Sequence, residues 1–319
     1  MTAPPLPRLP GHADIEAAAV RLRGKIRRTP VLEVHGDELG VPGRVVLKLE
    51  LTQHTGSFKA RGALNSLLSL PDGVRGVAAA SGGNHGAALA WAADRMGLRA
   101  DVFVSSASPA EKVSRIRGFH ATTHVIDGYY PEAFAAAEEW VRGRDVTSIH
   151  AFDRPSTVCG QGTLGLELVE QVPAASQVLV PCGGGGLYAG VALALRDHLP
   201  VTPVEPERCA SLRAALAAGE PVRVDVGGVA ADALGASTIG SHAFAVARET
   251  GTDPAIVDDE AILTARRWLW ERCRVLAEPG AATALAALMT GAARVHPGDT
   301  VVVVVSGGNN PAIPDSPSR

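Results

Sequence analysis

Leu49-Glu50-Leu51-Thr52-Gln53-His54-Thr55-Gly56-Ser57-Phe58-Lys59-Ala60-Arg61-Gly62-Ala63 is the stretch around which the rest of the chain is read. Apolar residues alternate into it (Val45, Leu47, Leu49), a polar turn containing glycine follows, and a helical pattern starts near Ser57, a residue suited to the N-cap. Lys59 falls in the first turn of that helix, where the helix dipole and burial both disfavour a positive charge. An amine kept neutral in this way attacks an aldehyde and later serves as a base. A lone lysine is more often a solvated surface residue, so the reading rests on what accompanies it.

The composition narrows the company. With 319 residues the chain is long enough for two lobes or one large α/β domain. Hydrophobic residues make up 46% but aromatics only 4%, so the core is built of Ala, Val and Leu, which suits close packing of helices on sheets. A net charge of −3 gives no electrostatic case for nucleic acid or an anionic membrane. Cys159, Cys182, Cys209 and Cys273 are widely spaced and match neither a zinc pattern nor a disulfide framework, which points to reduced thiols in the cytoplasm. The Pro-rich start, residues 1–10, lacks the apolar run of a signal peptide, and no stretch is long enough to span a membrane.

In chain order, a helix is expected over 14–23, ended by Pro30 and an extended segment. Strand-like and helix-like segments then alternate: strand 45–49, the helix after Ser57, strand 77–80, helix 84–96, strand 100–104, strand 123–126, helix 132–141, strand 147–151, helix 163–172, strand 178–181 and a last strand, 300–305. Such alternation predicts an α/β fold of open, mostly parallel sheets covered by helices, and the continuous run Val301–Val305 fits a strand buried on both faces. Residues 214–237 read as loop-rich, and the tail from Pro311 to Arg319 as frayed.

Three glycine-rich stretches follow strands, where α/β folds bind ligands. Ser81-Gly82-Gly83-Asn84-His85-Gly86 opens a helix whose free N–H groups suit a carboxylate, with Ser81, Asn84 and His85 as polar partners; an ordinary turn is the competing reading. Gly183-Gly184-Gly185-Gly186-Leu187 offers successive N–H groups as a nest for a phosphate, whether of a cofactor or of a mononucleotide. It matches neither a P-loop nor a dinucleotide fingerprint. Ser306-Gly307-Gly308-Asn309 places a hydroxyl at a strand end, for a heteroaromatic nitrogen or for capping a turn.

A lysine nucleophile, a phosphate nest, a carboxylate site and a hydroxyl for a ring nitrogen are the parts of a pyridoxal-phosphate enzyme. The chain resembles the fold-type II pyridoxal-phosphate family, in its serine/threonine dehydratase and serine racemase branch. The resemblance is carried in order by residues 57–63, Gly83-Asn84-His85-Gly86, Gly160-Gln161-Gly162-Thr163, Gly183 to Leu187, Glu278-Pro279 and Ser306-Gly307-Gly308-Asn309. It implies a two-lobed, tryptophan synthase β-like architecture, with 1–49 and 146–319 as a large cofactor-binding domain and 50–145 as a small mobile substrate domain. It implies Lys59 as the lysine that carries pyridoxal 5'-phosphate, Phe58 beside the cofactor ring, and Asn84 on its phenolic oxygen. Gly183, Gly184, Gly185, Gly186 and Leu187 would hold the phosphate, and Ser306 would face the pyridine nitrogen. Ser81, Gly82, Asn84 and His85 would line the substrate carboxylate, in a homodimer.

The implied activity is an ammonia-lyase that eliminates water from a 3-hydroxy amino acid, L-threonine or L-serine foremost, with 3-hydroxyaspartate, a 3-arylserine or amino-acid racemisation as alternatives. A β-replacement synthase fits less well, since His85 departs from its usual loop, and a non-catalytic phosphate binder has no use for Lys59. Two departures stand out. Where many relatives hold a divalent cation at Glu-Pro-x-x-Ala-x-Asp, this chain has Glu205-Pro206 but Ser211 at the Asp position, so a cation at Glu205 is doubtful. In serine racemases a hydroxyl residue just before Gly-Asn-His serves the second face of the substrate; here that residue is Gly82. The regulatory C-terminal domain of biosynthetic threonine dehydratases is not expected after Asn309.

Overall fold

Ten strands and twelve helices fall into two lobes in the computed structural model, which describes residues 6–310 and 312–314. The first half runs α1 (His12–Leu22), β1 (Val31–His35), β2 (Arg44–Leu49), α2 (Lys59–Leu68), β3 (Gly76–Ala80), α3 (Asn84–Met96), β4 (Arg99–Ser105), α4 (Ala110–Arg117), β5 (Thr122–Ile126), α5 (Tyr130–Val141) and β6 (Thr147–Ser148). The second runs α6 (Pro155–Gln171), β7 (Gln177–Pro181), α7 (Gly186–Leu195), β8 (Val201–Pro206), α8 (Ser211–Ala218), α9 (Ala231–Leu234), α10 (Ser241–Thr250), β9 (Ala255–Val257), α11 (Asp259–Cys273), α12 (Pro279–Met289) and β10 (Thr300–Val305). The frayed tail expected from Pro311, apart from 312–314, lies outside the described residues, as does the start of the Pro-rich segment.

The larger sheet has the order β1-β2-β10-β7-β8-β9 and the smaller β5-β4-β3-β6. Every pairing is parallel except that of β1 with β2. β10 lies inside the larger sheet: Val302 and Val304 enter the core on one face, Val301, Val303 and Val305 the core on the other. All five are fully buried, and each contributes about 1.5–3 kcal/mol of hydrophobic stabilisation. The smaller sheet extends through Ser148.

Four local expectations need correction. Ser57 does not cap α2 with its side chain: its backbone is extended, its hydroxyl is buried without a partner, and Phe58 takes the N-cap position. α6 begins at Pro155 rather than near Thr163, and Gly160 and Gly162 lie within it as contact points. A Cβ on Gly160 would lie 2.7 Å from the Gly62 Cα, and one on Gly162 would lie 2.8 Å from the Gly190 carbonyl oxygen. The strand expected over 147–151 stops at Ser148, since the carbonyls of Ile149 and Ala151 turn to His85 and Lys59. The loop-rich reading of 214–237 misses that α8 runs to Ala218 and that α9 follows at Ala231.

Candidate active site

The glycine-rich stretches converge from the carboxyl ends of β3, β7 and β10, where parallel sheets present their loops. Lys59 meets them because its own loop is sewn to the last one. Ser57 forms an isolated antiparallel bridge with Gly307, and the Phe58 N–H donates to the Ser306 carbonyl at 3.1 Å. Lys59 Nζ donates to the Ala151 carbonyl at 3.0 Å and lies 5.1 Å from the centre of the Phe58 ring. As a whole residue Lys59 is half-buried, yet burial of the amine pulls it down to about 8, against the opposite pull of Glu278. Near neutral pH this lysine therefore yields its proton readily.

The tetraglycine loop links β7 to α7. Its glycines are required by what they touch: a Cβ on Gly183 would lie 2.7 Å from the Leu234 backbone, and one on Gly186 would lie 2.8 Å from the Phe152 carbonyl oxygen. A Cβ on Gly184 would overlap the Phe152 ring, and Gly185 adopts φ +82° against Ala243. The backbone N–H groups of Gly183 through Leu187 donate to no main-chain carbonyl among the described residues. Donors lined up in this way at the start of a ten-residue helix suit a phosphate. Phe152 connects this loop to Lys59, since Ala151 precedes it in the chain.

Behind the loop, Asp153 accepts from His242 Nδ1 at 2.7 Å, from the Ser241 N–H at 2.9 Å and from the His242 N–H at 3.1 Å. Burial works against its charge, but the bonds from His242 and Ser241 outweigh it and hold the carboxyl well below its usual range. This fixes α10 behind the tetraglycine loop, and Gly240 N–H adds a bond to the Gly184 carbonyl at 3.1 Å.

The helix start at Asn84 supplies the third part. Ser81 Oγ accepts from the Gly83 N–H at 3.2 Å, and Gly83 faces the Asp232 carbonyl of α9. His85 Nε2 donates to the Ile149 carbonyl at 2.9 Å, and burial, with help from Lys59, pushes the imidazole down to about 3. The ring is thus neutral with its N–H committed, so the donor His85 has to spare at this helix start is its backbone N–H. Asn84 is held between Glu278 and Asn309, each 2.7 Å away. Burial raises the Glu278 carboxyl despite the Asn84 bond. Lys112 of α4 pairs with Asp232 of α9 across the two lobes.

Phe58, Lys59 and Ser306 are therefore tied together directly, Asn84 joins them through Glu278 and Asn309, and the tetraglycine loop through Ala151 and Phe152, while Leu187 packs into the large-lobe core. Glu205 stands apart: its carboxylate accepts from the Leu212 and Arg213 N–H groups, at 2.7 and 2.9 Å, at the start of α8. No group of three or more metal-ligating side chains occurs among the described residues. Sequence reasoning assigns no role to Phe152, Asp153, His242, Glu278 or Asn309. Only the last two sit in motifs that could prompt one.

A family model described as pyridoxal-phosphate dependent enzyme matches residues 22–307. The chain is 37% identical over 302 residues to an L-threonine ammonia-lyase of Geobacter sulfurreducens, covering 92% of this chain and 74% of that protein. Among solved structures it resembles a threonine deaminase from T.th., with TM-score 0.88, 34% identity and coverage of 94% of this chain and 99% of that one. It also resembles maize serine racemase, with TM-score 0.88, 31% identity and coverage of 95% and 94%.

Proposed function

The chain belongs to the pyridoxal-phosphate dependent enzyme family, and from that premise we propose that it is an ammonia-lyase converting L-threonine or L-serine to a 2-oxo acid and ammonia by β-elimination of water. The observation that carries this reading is a half-buried lysine with an easily deprotonated amine, near a helix-start nest of free N–H groups. Those residues fit pyridoxal phosphate: an amine for its aldehyde, donors for its phosphate, and Ser306, 4% exposed, for its pyridine nitrogen. When bound, the cofactor supplies an electrophilic carbon and an electron-withdrawing ring that acidifies the substrate Cα–H.

The chain's own groups do the rest. The N–H groups of Gly183 to Leu187 take the phosphate and thereby fix the register of the ring. Asn84 would donate to the phenolic oxygen, and Ser306, a neutral hydroxyl, would face the ring nitrogen. The substrate carboxylate sits at the start of α3, on the backbone N–H groups of Asn84 and His85 with Ser81. Lys59 Nζ would be the base that takes the Cα proton, and its lowered basicity would let it hold that proton and release it within one turnover. His85, neutral beside it, adds no competing positive charge, and burial lowers the His150 imidazole in the same direction. The small lobe carries the carboxylate site and closes over it. The four cysteines are free thiols, and we place the enzyme in the cytoplasm as a homodimer.

The test is borohydride reduction of the yellow holoenzyme followed by peptide mapping, with 2-oxobutanoate release from L-threonine measured in parallel. Attachment at Lys59, and loss of both attachment and turnover in Lys59→Ala, is expected. Attachment at Lys25, Lys48 or Lys112 would refute the assignment.

A further inference from the structure

The Asn84 carboxamide is gripped at both ends. Its Oδ1 accepts from Asn309 Nδ2 at 2.7 Å, and its Nδ2 donates to Glu278 Oε1 at 2.7 Å. Turning the amide over would set donor against donor at Asn309 and oxygen against carboxylate at Glu278, so both bonds would be lost together. Asn309 is fixed in turn. The same Nδ2 donates to the Thr55 carbonyl at 2.8 Å, and its backbone N–H donates to Glu278 Oε2 at 3.3 Å. Both Nδ2 hydrogens of Asn309 are thus spent, which leaves it one orientation.

Thr55 shows that this arrangement is costly to build. It has φ +59°, a left-handed conformation that a β-branched residue adopts only under strain. In that conformation its carbonyl receives both Asn309 Nδ2 and Arg115 Nη2, one donor from each lobe. The strain is therefore tied to the acceptor that orients Asn309. Asn84 Nδ2 carries two hydrogens, and Glu278 takes one of them.

We propose that Asn309 is a positioning residue, which holds the Asn84 amide so that its second Nδ2 hydrogen is presented to the phenolic oxygen of the bound cofactor. The inference rests on the placement of Asn84 at that oxygen in the function proposed above. It assigns Asn309 a task distinct from that of its neighbour Ser306: Asn309 acts through Asn84 and not on the cofactor ring.

The experiment compares wild type with Asn84→Ala, Asn309→Asp and Asn309→Ala. For each, the dissociation constant for pyridoxal phosphate and the pH titration of its visible band are measured, along with apo-protein unfolding. Asn309→Asp keeps the shape but faces both Asn84 Oδ1 and the Thr55 carbonyl with an acceptor, which favours the reversed amide. It is expected to bind the cofactor at least about tenfold more weakly and to displace the titration, with Asn309→Ala weaker by about threefold. A merely structural role would lower apo-protein stability and leave the titration in place, which would overturn the inference. So would normal cofactor binding by both Asn309 variants when Asn84→Ala binds weakly. If Asn84→Ala itself binds and titrates as wild type, the placement of Asn84 falls and this inference with it, while trapping at Lys59 still judges the function separately. Should Asn309→Asp fail to fold, Asn309→Ala decides.

Discussion

Ser108 stands in the space into which a side chain on Gly82 would have to grow: a Cβ built on Gly82 overlaps the Ser108 hydroxyl and lies 3.0 Å from its Cβ. Racemisation needs a proton donor on the face opposite Lys59, and Gly82 has none to give. Elimination should therefore dominate, with L-serine giving pyruvate and little D-serine. Gly82→Ser alone is overpacked by Ser108, at a cost of about 1–3 kcal/mol, so it should lower stability without gaining racemisation. Gly82→Ser combined with Ser108→Gly has room for the hydroxyl and should raise the ratio of D-serine to pyruvate severalfold. Chiral chromatography of the products checks this; D-serine formed by wild type as fast as pyruvate would refute it.

Glu205 fixes the start of α8 through two backbone N–H groups, where a carboxylate is favoured by the helix dipole. Burial nevertheless raises its carboxyl to about 7, so it is a poor hard-cation ligand at neutral pH. Ser211, in place of a carboxylate, donates to the Gly183 carbonyl at 3.4 Å. Treatment with a chelator should leave turnover within about twofold, and added magnesium or calcium should not shift the melting temperature. A loss greater than fivefold that magnesium restores would contradict this.

What the sequence discloses is local chemistry with a short period. The valines of β10 and the glycine-to-helix junctions at Asn84 and Gly186 declare themselves within a few residues. Lys59 is legible because its turn and helix adjoin it. β8 is hidden because Pro203 and Pro206 interrupt its pattern, although Pro203 pairs with Val180 inside the sheet. The first two turns of α6 are hidden because their glycines serve packing against α2 and α7. The Asp153–His242 pair spans 89 residues and the Asn84–Glu278 pair 194, and no spacing rule connects such partners. Only the fold brings them together.

Arg61, two residues after Lys59, is fully buried among Glu50 at 2.7 Å and Glu167 at 2.6 Å, and Glu167 also takes buried Lys48 at 2.6 Å. Two cations and two carboxylates balance, so removing one strands the others. Arg61→Met should cost about 3–5 kcal/mol of unfolding free energy in urea titrations, with Arg61→Lys losing less. Burial alone would raise the Glu50 carboxyl, but Arg61 outweighs it and holds it below its usual value. The sign follows: this contribution is present above the unfolded-state value near 4.5 and is lost as pH falls through the folded one. Acid unfolding of Arg61→Met should accordingly be less steep, and an unchanged urea midpoint would refute the network's role.

The lowered basicity of Lys59 predicts how the apo-protein takes up its cofactor. Only the neutral amine attacks the aldehyde. With a value of about 8, roughly a quarter of Lys59 is neutral at pH 7.5, against about one part in a thousand for a lysine at its ordinary 10.5. The rate of covalent attachment, followed by the visible band after mixing apo-protein with pyridoxal phosphate, should rise up to about pH 8 and then level off. An exposed lysine would continue to gain about tenfold per pH unit to beyond pH 10. Because Glu278 holds the Lys59 value up, Glu278→Gln should move the bend to lower pH. Linkage gives a second reading of the same group. The unfolded chain binds more protons at this lysine between about 8 and 10.5, so apo-protein stability should gain from Lys59 as pH rises through that window, and Lys59→Met should abolish the gain. An attachment rate still climbing at pH 10 would show that Lys59 is an ordinary lysine.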